Sequence, residues 1–138
     1  MKKRILLVEN DTVLAVLTKL ELEDLGYDAL EIASTGEKAV QIALEQKPDL
    51  VLMDVKLDGE LDGAEAAKQI HNHFGIPVIF LTATTDSETV QKCLASKPYG
   101  YLQKPCPRED LQEAIEQAFS EKLFAKVEGR TNRQRSAA

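Results

Sequence analysis

Tryptophan is absent from this 138-residue chain, aromatics make up 5% of it, and cysteine occurs twice. Cys93 and Cys106 stand apart, with no Cys-x-x-Cys pair and no neighbouring histidine. That spacing speaks against a thiolate metal site or a disulfide framework, and both side chains read as reduced thiols. An excess of positive charge is also missing. The formal net charge is −6, whereas non-specific binding to nucleic acid needs a cationic surface. No apolar run approaches the roughly 20 residues of a membrane span. The basic start Lys2-Lys3-Arg4 is followed only by Ile5–Val8, too short for the apolar core of a signal peptide. The expectation is a cytoplasmic protein with neither a membrane nor a nucleic acid as direct partner. What is present is ample apolar content, 43%, against 29% charged residues spread along the chain, which suits one core in one domain.

Short β-like runs alternate with longer helical patterns. Arg4–Val8 reads as a buried strand. Residues 12–25 read as a helix stopped by Gly26, but Val13, Leu14, Val16, Leu17, Leu20, Leu22 and Leu25 make too broad a stripe to fix its buried face. Asp28–Ala33 alternates like a strand. Ser34-x-x-Glu37 then fits a capping box, and Val40, Ala43 and Leu44 give the helix after it a face. Pro48 ends that helix and Leu50–Met53 follows as the third strand. Gly63 opens a helix with Ala67, Ile70 and Phe74 on one side, leaving His71 and His73 off that face and solvated. Val78–Leu81 is the fourth strand. Thr85-x-x-Glu88 is a second capping-box pattern, ahead of a helix faced by Val90, Cys93 and Leu94. Tyr99–Leu102 is a short fifth strand. Pro107 suits a first helical position, and Leu111, Ala114, Ile115 and Ala118 stripe the last helix.

Five β–α units in a row predict an α/β fold: a flavodoxin-like, doubly wound, five-stranded parallel sheet of order 2-1-3-4-5 with helices on both faces. In that order strands one and three are neighbours, and ligands bind beyond their carboxyl ends. Strand one ends in Glu9-Asn10-Asp11 and strand three ends at Asp54, an acid at the tip of the apolar run Val51-Leu52-Met53. Crowded carboxylates repel unless they share a cation, and a hard divalent ion such as Mg²⁺ fits oxygen ligands. Thr82 ends strand four and Lys104 follows strand five, adding a hydroxyl and an ammonium to the same rim. Asp54 can then act as a nucleophile, with the metal and Lys104 neutralising an incoming phosphoryl group.

The motifs Val8-Glu9-Asn10-Asp11, Met53-Asp54, Asp62-Gly63, Leu81-Thr82-Ala83, Tyr99-Gly100-Tyr101-Leu102 and Lys104-Pro105, in this order and at strand ends, resemble the receiver domain of two-component response regulators. The likeness runs from about Lys3 to about Phe124. It implies a receiver domain over residues 1–124, with residues 125–138 a basic tail, a linker or a remnant of cloning. It implies that Asp54 is the phosphoacceptor, taking its phosphoryl group from a phosphohistidine on a sensor histidine kinase or a phosphotransfer protein. Glu9, Asp54 and the backbone carbonyl of Lys56 would hold Mg²⁺, with Asn10 beside them. Lys104 would pair with the phosphoryl group, Thr82 would offer it a hydroxyl, and Tyr101 would turn inward as Thr82 moves. The Lys104-Pro105 bond would be cis. The face made by the fourth helix, fifth strand and fifth helix would change shape and be read by a downstream effector, and a homodimer through it is left open. Such a protein is not an enzyme beyond its own phosphotransfer and dephosphorylation.

The sequence departs from the family pattern at Asn10, where a second acid is usual, which predicts weaker Mg²⁺ binding. It departs again in the longer loop Lys56–Asp62, in the cation of Lys56, and at Cys106, where Phe is common. Asp11 reads as a helix cap. Competing readings are a phosphohydrolase working through an aspartyl phosphate, a flavodoxin-like cofactor binder, and a receiver that keeps the fold without being phosphorylated. By resemblance the first wants an acid where Lys56 stands and a cap domain over its substrate. The second wants a phosphate-cradling loop where Glu9-Asn10-Asp11 stands. The third is supported by Asn10. No output domain fits after residue 124, so the expectation is a stand-alone receiver or one cut from a larger regulator.

Overall fold

Apolar runs too short for helices become the central strands. The computed structural model describes residues 2–127. The elements are β1 (Arg4–Val8), α1 (Thr12–Asp24), β2 (Asp28–Ala29), α2 (Gly36–Gln46), β3 (Leu50–Met53), α3 (Gly63–Phe74), β4 (Val78–Thr82), α4 (Ser87–Ala95), β5 (Gly100–Gln103) and α5 (Arg108–Val127). The strands form one sheet in the order β2-β1-β3-β4-β5, and every pairing is parallel. This is the predicted doubly wound arrangement.

Alternation along each strand divides the core in two. Leu6, Val8, Val51, Met53 and Phe80 face α2, α3 and α4, while Ile5, Leu7, Leu50, Leu52 and Ile79 face α1 and α5. All of β3 and β4 is buried, as parallel strands covered on both sides must be.

Several local expectations shift. The predicted strand Asp28–Ala33 pairs regularly only at Asp28 and Ala29. Beyond them the Leu30 and Ala33 amides still donate to the Ile5 and Leu7 carbonyls, so the segment follows β1 as a broken edge. The N-cap of α2 is Thr35, not Ser34, and its hydroxyl accepts the Lys38 amide at 3.0 Å. Glu37 does not complete a capping box, because with Thr35 as N-cap it is the second helical residue and not the third, and its carboxylate accepts the Leu61 amide. Asp86, not Thr85, caps α4, accepting both the amide and the hydroxyl of Thr89. A carboxylate next to the first turn outcompetes the preceding hydroxyl. Helix α1 ends at Asp24 with Leu25 as its C-cap, and Gly26 takes the positive φ of 96° that turns the chain away. Helix α5 runs to Val127, past the expected end of the domain, so Ala125–Val127 of the expected tail is helical. The remainder of that tail, residues 128–138, lies outside the described residues.

The face of α1 that its sequence left open is now visible. Ala15 and Leu22 are buried, whereas Val13, Leu17 and Leu20 are 68%, 57% and 58% exposed. No helix among the described residues is long and apolar enough to cross a membrane.

Candidate functional site

The register of β1 and β3 pairs Val8 with Met53, so the residues that follow, Glu9 and Asp54, leave the sheet side by side. The Asp54 amide donates to the Val8 carbonyl at 3.0 Å and locks this alignment. Both acids are buried, Glu9 at 5% exposure and Asp54 at 9%. Lys104, beyond the end of β5, reaches back to both. Its Nζ forms an ion pair with Glu9 Oε1 and lies 3.2 Å from Asp54 Oδ2. The other Asp54 oxygen, Oδ1, accepts the Val55 amide at 2.7 Å. The Lys104 amide is itself held by the Thr82 carbonyl at 3.0 Å, and the Lys104-Pro105 bond is cis.

The electrostatics follow from this crowding. Burial pushes the Glu9 carboxyl above its ordinary range. Lys104 and the Asp11 amide pull it down, the neighbouring Asp54 pushes it further up, and the outcome is a raised value. Burial alone would pull the Lys104 ammonium down, but the Glu9 hydrogen bond and the Asp54 charge outweigh it and hold its pKa above the ordinary value. Lys104 therefore stays charged and offsets part of the repulsion between the acids.

Oxygen donors on two buried carboxylates suit a hard cation that keeps several of its waters, as Mg²⁺ does with one or two carboxylates. No group of three or more His, Cys, Asp or Glu that could hold a metal ion occurs among the described residues. Asn10 and Lys56 are exposed on the loops flanking the acids. Asp11 caps α1 through the Leu14 amide, and its own amide donates to Glu9 Oε2 at 3.2 Å.

Thr82 is buried at the end of β4, and its Oγ1 accepts the Thr84 amide at 3.2 Å rather than touching the acids. Tyr101 is half-buried; its ring packs against Phe80 at 6.1 Å, and its hydroxyl donates to the Thr84 carbonyl at 3.4 Å. Thr84, buried at 6% exposure, thus joins the two residues expected to move together. Sequence reasoning passed over it; the signal was the hydroxyl-rich run Thr82-Ala83-Thr84-Thr85 after a buried strand. His71 and His73 lie in the last turn of α3, away from the acids, against Tyr99 and Phe74. Cys93 is fully buried, and burial pushes its thiol up to about 11.

Two further features frame the site. Gly63, which opens α3, packs so tightly that a Cβ there would lie 2.0 Å from the Asp54 carbonyl oxygen, so only glycine fits. Next to Lys104, a groove of about 460 Å³ runs between α1 and α5, lined by Leu14, Leu17, Pro105, Cys106 and Leu111 among others.

Comparison with known proteins agrees with this geometry. A family model described as the response regulator receiver domain matches residues 5–116. The chain is 35% identical over 118 residues to the transcriptional regulatory protein PdtaR of Mycobacterium tuberculosis, covering 86% of this chain and 57% of that protein. It therefore spans little more than half the length of that relative. Among solved structures, the signal receiver domain of a modulated diguanylate cyclase from Desulfovibrio desulfuricans G20 superposes with a TM-score of 0.86 at 37% identity, covering 90% of this chain and 98% of that one. The receiver domain of the sensor histidine kinase PA1611 from Pseudomonas aeruginosa PAO1, described with a magnesium ion coordinated in its active-site cleft, gives 0.79 at 32% identity, with 87% and 99% covered.

Proposed function

Since the chain belongs to the response regulator receiver domain family, we propose that it works as a phosphorylation-controlled switch with Asp54 as the phosphoacceptor. The observation that carries this reading is the meeting of two buried carboxylates, Glu9 and Asp54, at the Lys104 ammonium. An Asp54 carboxylate oxygen attacks the phosphorus of a phosphohistidine on a sensor kinase or phosphotransfer protein. The P–N bond breaks, the imidazole leaves, and an acyl phosphate forms. Glu9, Asp54, the Lys56 carbonyl and the Asn10 amide oxygen would hold Mg²⁺, which supplies charge neutralisation at the phosphoryl oxygens. Lys104 transfers its hydrogen bonds from the carboxylates to the phosphoryl group. Thr82 gives up the Thr84 amide and turns its hydroxyl to a phosphoryl oxygen, which releases Tyr101 to settle inward.

The changed face of α4, β5 and α5 is what an effector protein or domain reads, and a homodimer through the same face is a second use of it. Turnover is confined to the chain's own phosphorylation and dephosphorylation. The formal net charge of −6 disfavours non-specific binding to nucleic acid, which supports protein partners for the switch.

Incubation with acetyl phosphate and Mg²⁺ followed by intact mass measurement tests the reading. One phosphoryl group is expected on the native chain and none on Asp54→Ala. Equal labelling of both, or labelling of neither, overturns it. Steady phosphate release from many small esters would instead favour a phosphohydrolase.

A further inference from the structure

The loop from Lys56 to Asp62, between the Asp54 strand and α3, is held from two sides. On the α2 side, Glu37 Oε1 accepts the Leu61 amide at 2.6 Å and Thr35 bridges Asp58. On the α4 side, Lys92 Nζ donates to Asp62 Oδ2 at 2.6 Å. Asp62 uses its other oxygen to cap α3, accepting the Glu65 amide at 2.9 Å. The next residue, Gly63, donates its amide to the Val55 carbonyl at 3.0 Å and presses on the Asp54 peptide. Asp62 is thus a junction, bonded to α4, bonded to α3, and one peptide away from the backbone that carries the phosphoacceptor.

Helix α4 has little else to fix it. Of its residues only Cys93 is buried, so a single side-chain pair is a large share of what orients it. We propose that the Lys92–Asp62 ion pair is a latch that holds the loop after Asp54 and helix α4 as one piece, making both residues positioning residues for the phosphorylation site. The latch rests on the phosphoacceptor reading above for its use, though not for its existence. Because coupling between two places is reciprocal, a change at Asp54 is felt at α4, and a partner seated on α4 is felt at Asp54. The pair is solvent-facing, with side chains 51% and 41% exposed, so it is weak. That suits a switch, since a buried pair would hold α4 too firmly to be moved.

The test uses Lys92→Met, Asp62→Asn, their double variant and Lys92→Arg in the full chain. Asparagine keeps the helix cap and removes only the charge. Amide hydrogen exchange is read in segments 56–62 and 87–95 of the unphosphorylated protein, and decay of the acetyl-phosphate-generated form is followed by intact mass. Each charge-removing single variant is expected to speed exchange in both segments about two- to fivefold and to shift the decay rate by a similar factor. The double variant should be no worse than either single one, and Lys92→Arg should behave as wild type. Raising salt to about 1 M should bring the wild type toward the variants. Additive effects, a change confined to the segment carrying the substitution, or no change in either segment would overturn the latch. If the wild type took up no phosphoryl group, the exchange measurements would still decide the latch, and the phosphoacceptor reading would fall alone.

Discussion

Helices α3 and α4 are neighbours built to one plan, each opened by an aspartate N-cap, yet they are held very differently. Helix α3 buries Gly63, Ala64, Ala66, Ala67 and Ile70, whereas α4 buries Cys93 alone. The strands repeat the contrast: β3 is buried throughout, while β5 is half-buried and ends in an exposed Gln103. The acids sit on the stiff side. Tyr101 and Lys92 sit on the thin side. On the proposed reading, a phosphoacceptor needs fixed geometry and a readout surface needs low local stability, and the burial pattern supports placing the two demands on different strands.

The contrast breaks first, and most heavily, under core truncation. Ile70→Ala on α3 should cost about 2–5 kcal/mol in urea unfolding, whereas Leu94→Ala on α4, 52% exposed, should stay within about 0.5 kcal/mol. Equal costs would erase the distinction. Next comes pH. The Cys93 thiol is raised from 9.0 to about 11, so folding favours its protonated form. The associated stability is complete below pH 9 and is lost as pH rises through the folded value. Relative to Cys93→Ala, the wild type should lose about 2 kcal/mol by pH 11; parallel pH profiles would contradict this.

A third test strikes the joint itself. Gly63→Ala places a methyl group against the Asp54 peptide and should cost about 1–3 kcal/mol in unfolding. It should also slow phosphoryl uptake from acetyl phosphate on the order of tenfold to a hundredfold, because Asp54, the proposed nucleophile, is displaced. A variant with normal uptake would show that the close approach is incidental. The smallest effect is kinetic. With a thiol reagent at neutral to mildly alkaline pH, half-buried Cys106 should react about tenfold faster than Cys93, whose thiolate is suppressed and which is reached only when α4 lifts. Matching rates would mean that α4 is no barrier.

Much of this was legible from the chain. The central strands announced themselves because they are covered on both faces and so tolerate nothing polar until their tips. Glu9 and Asp54 were legible for the same reason, since an acid ending an apolar run marks the rim of the sheet. The edge segment Asp28–Ala33 was not, because alternation reports an extended chain and not a continuous ladder. The caps went astray by one residue where two acceptors stood side by side. The face of α1 stayed ambiguous because apolar residues encircle it, and only tertiary packing reveals that Leu17 and Leu20 are left outside. Lys92 and Asp62 lie 30 residues apart, and no local pattern pairs them. Thr84 matters through two backbone atoms, to which side-chain identity is blind.

Lys104 is rooted at the end of the yielding β5 and grips the acids that follow the buried strands β1 and β3. It is a tether strung between the two halves. Its tension is set by how much negative charge waits at the far end, since attraction grows with charge and with closeness. If Asp54 is loaded as proposed, the pull on Lys104 would grow and draw the edge of the sheet inward, so that one ammonium group would turn a chemical event into a mechanical one.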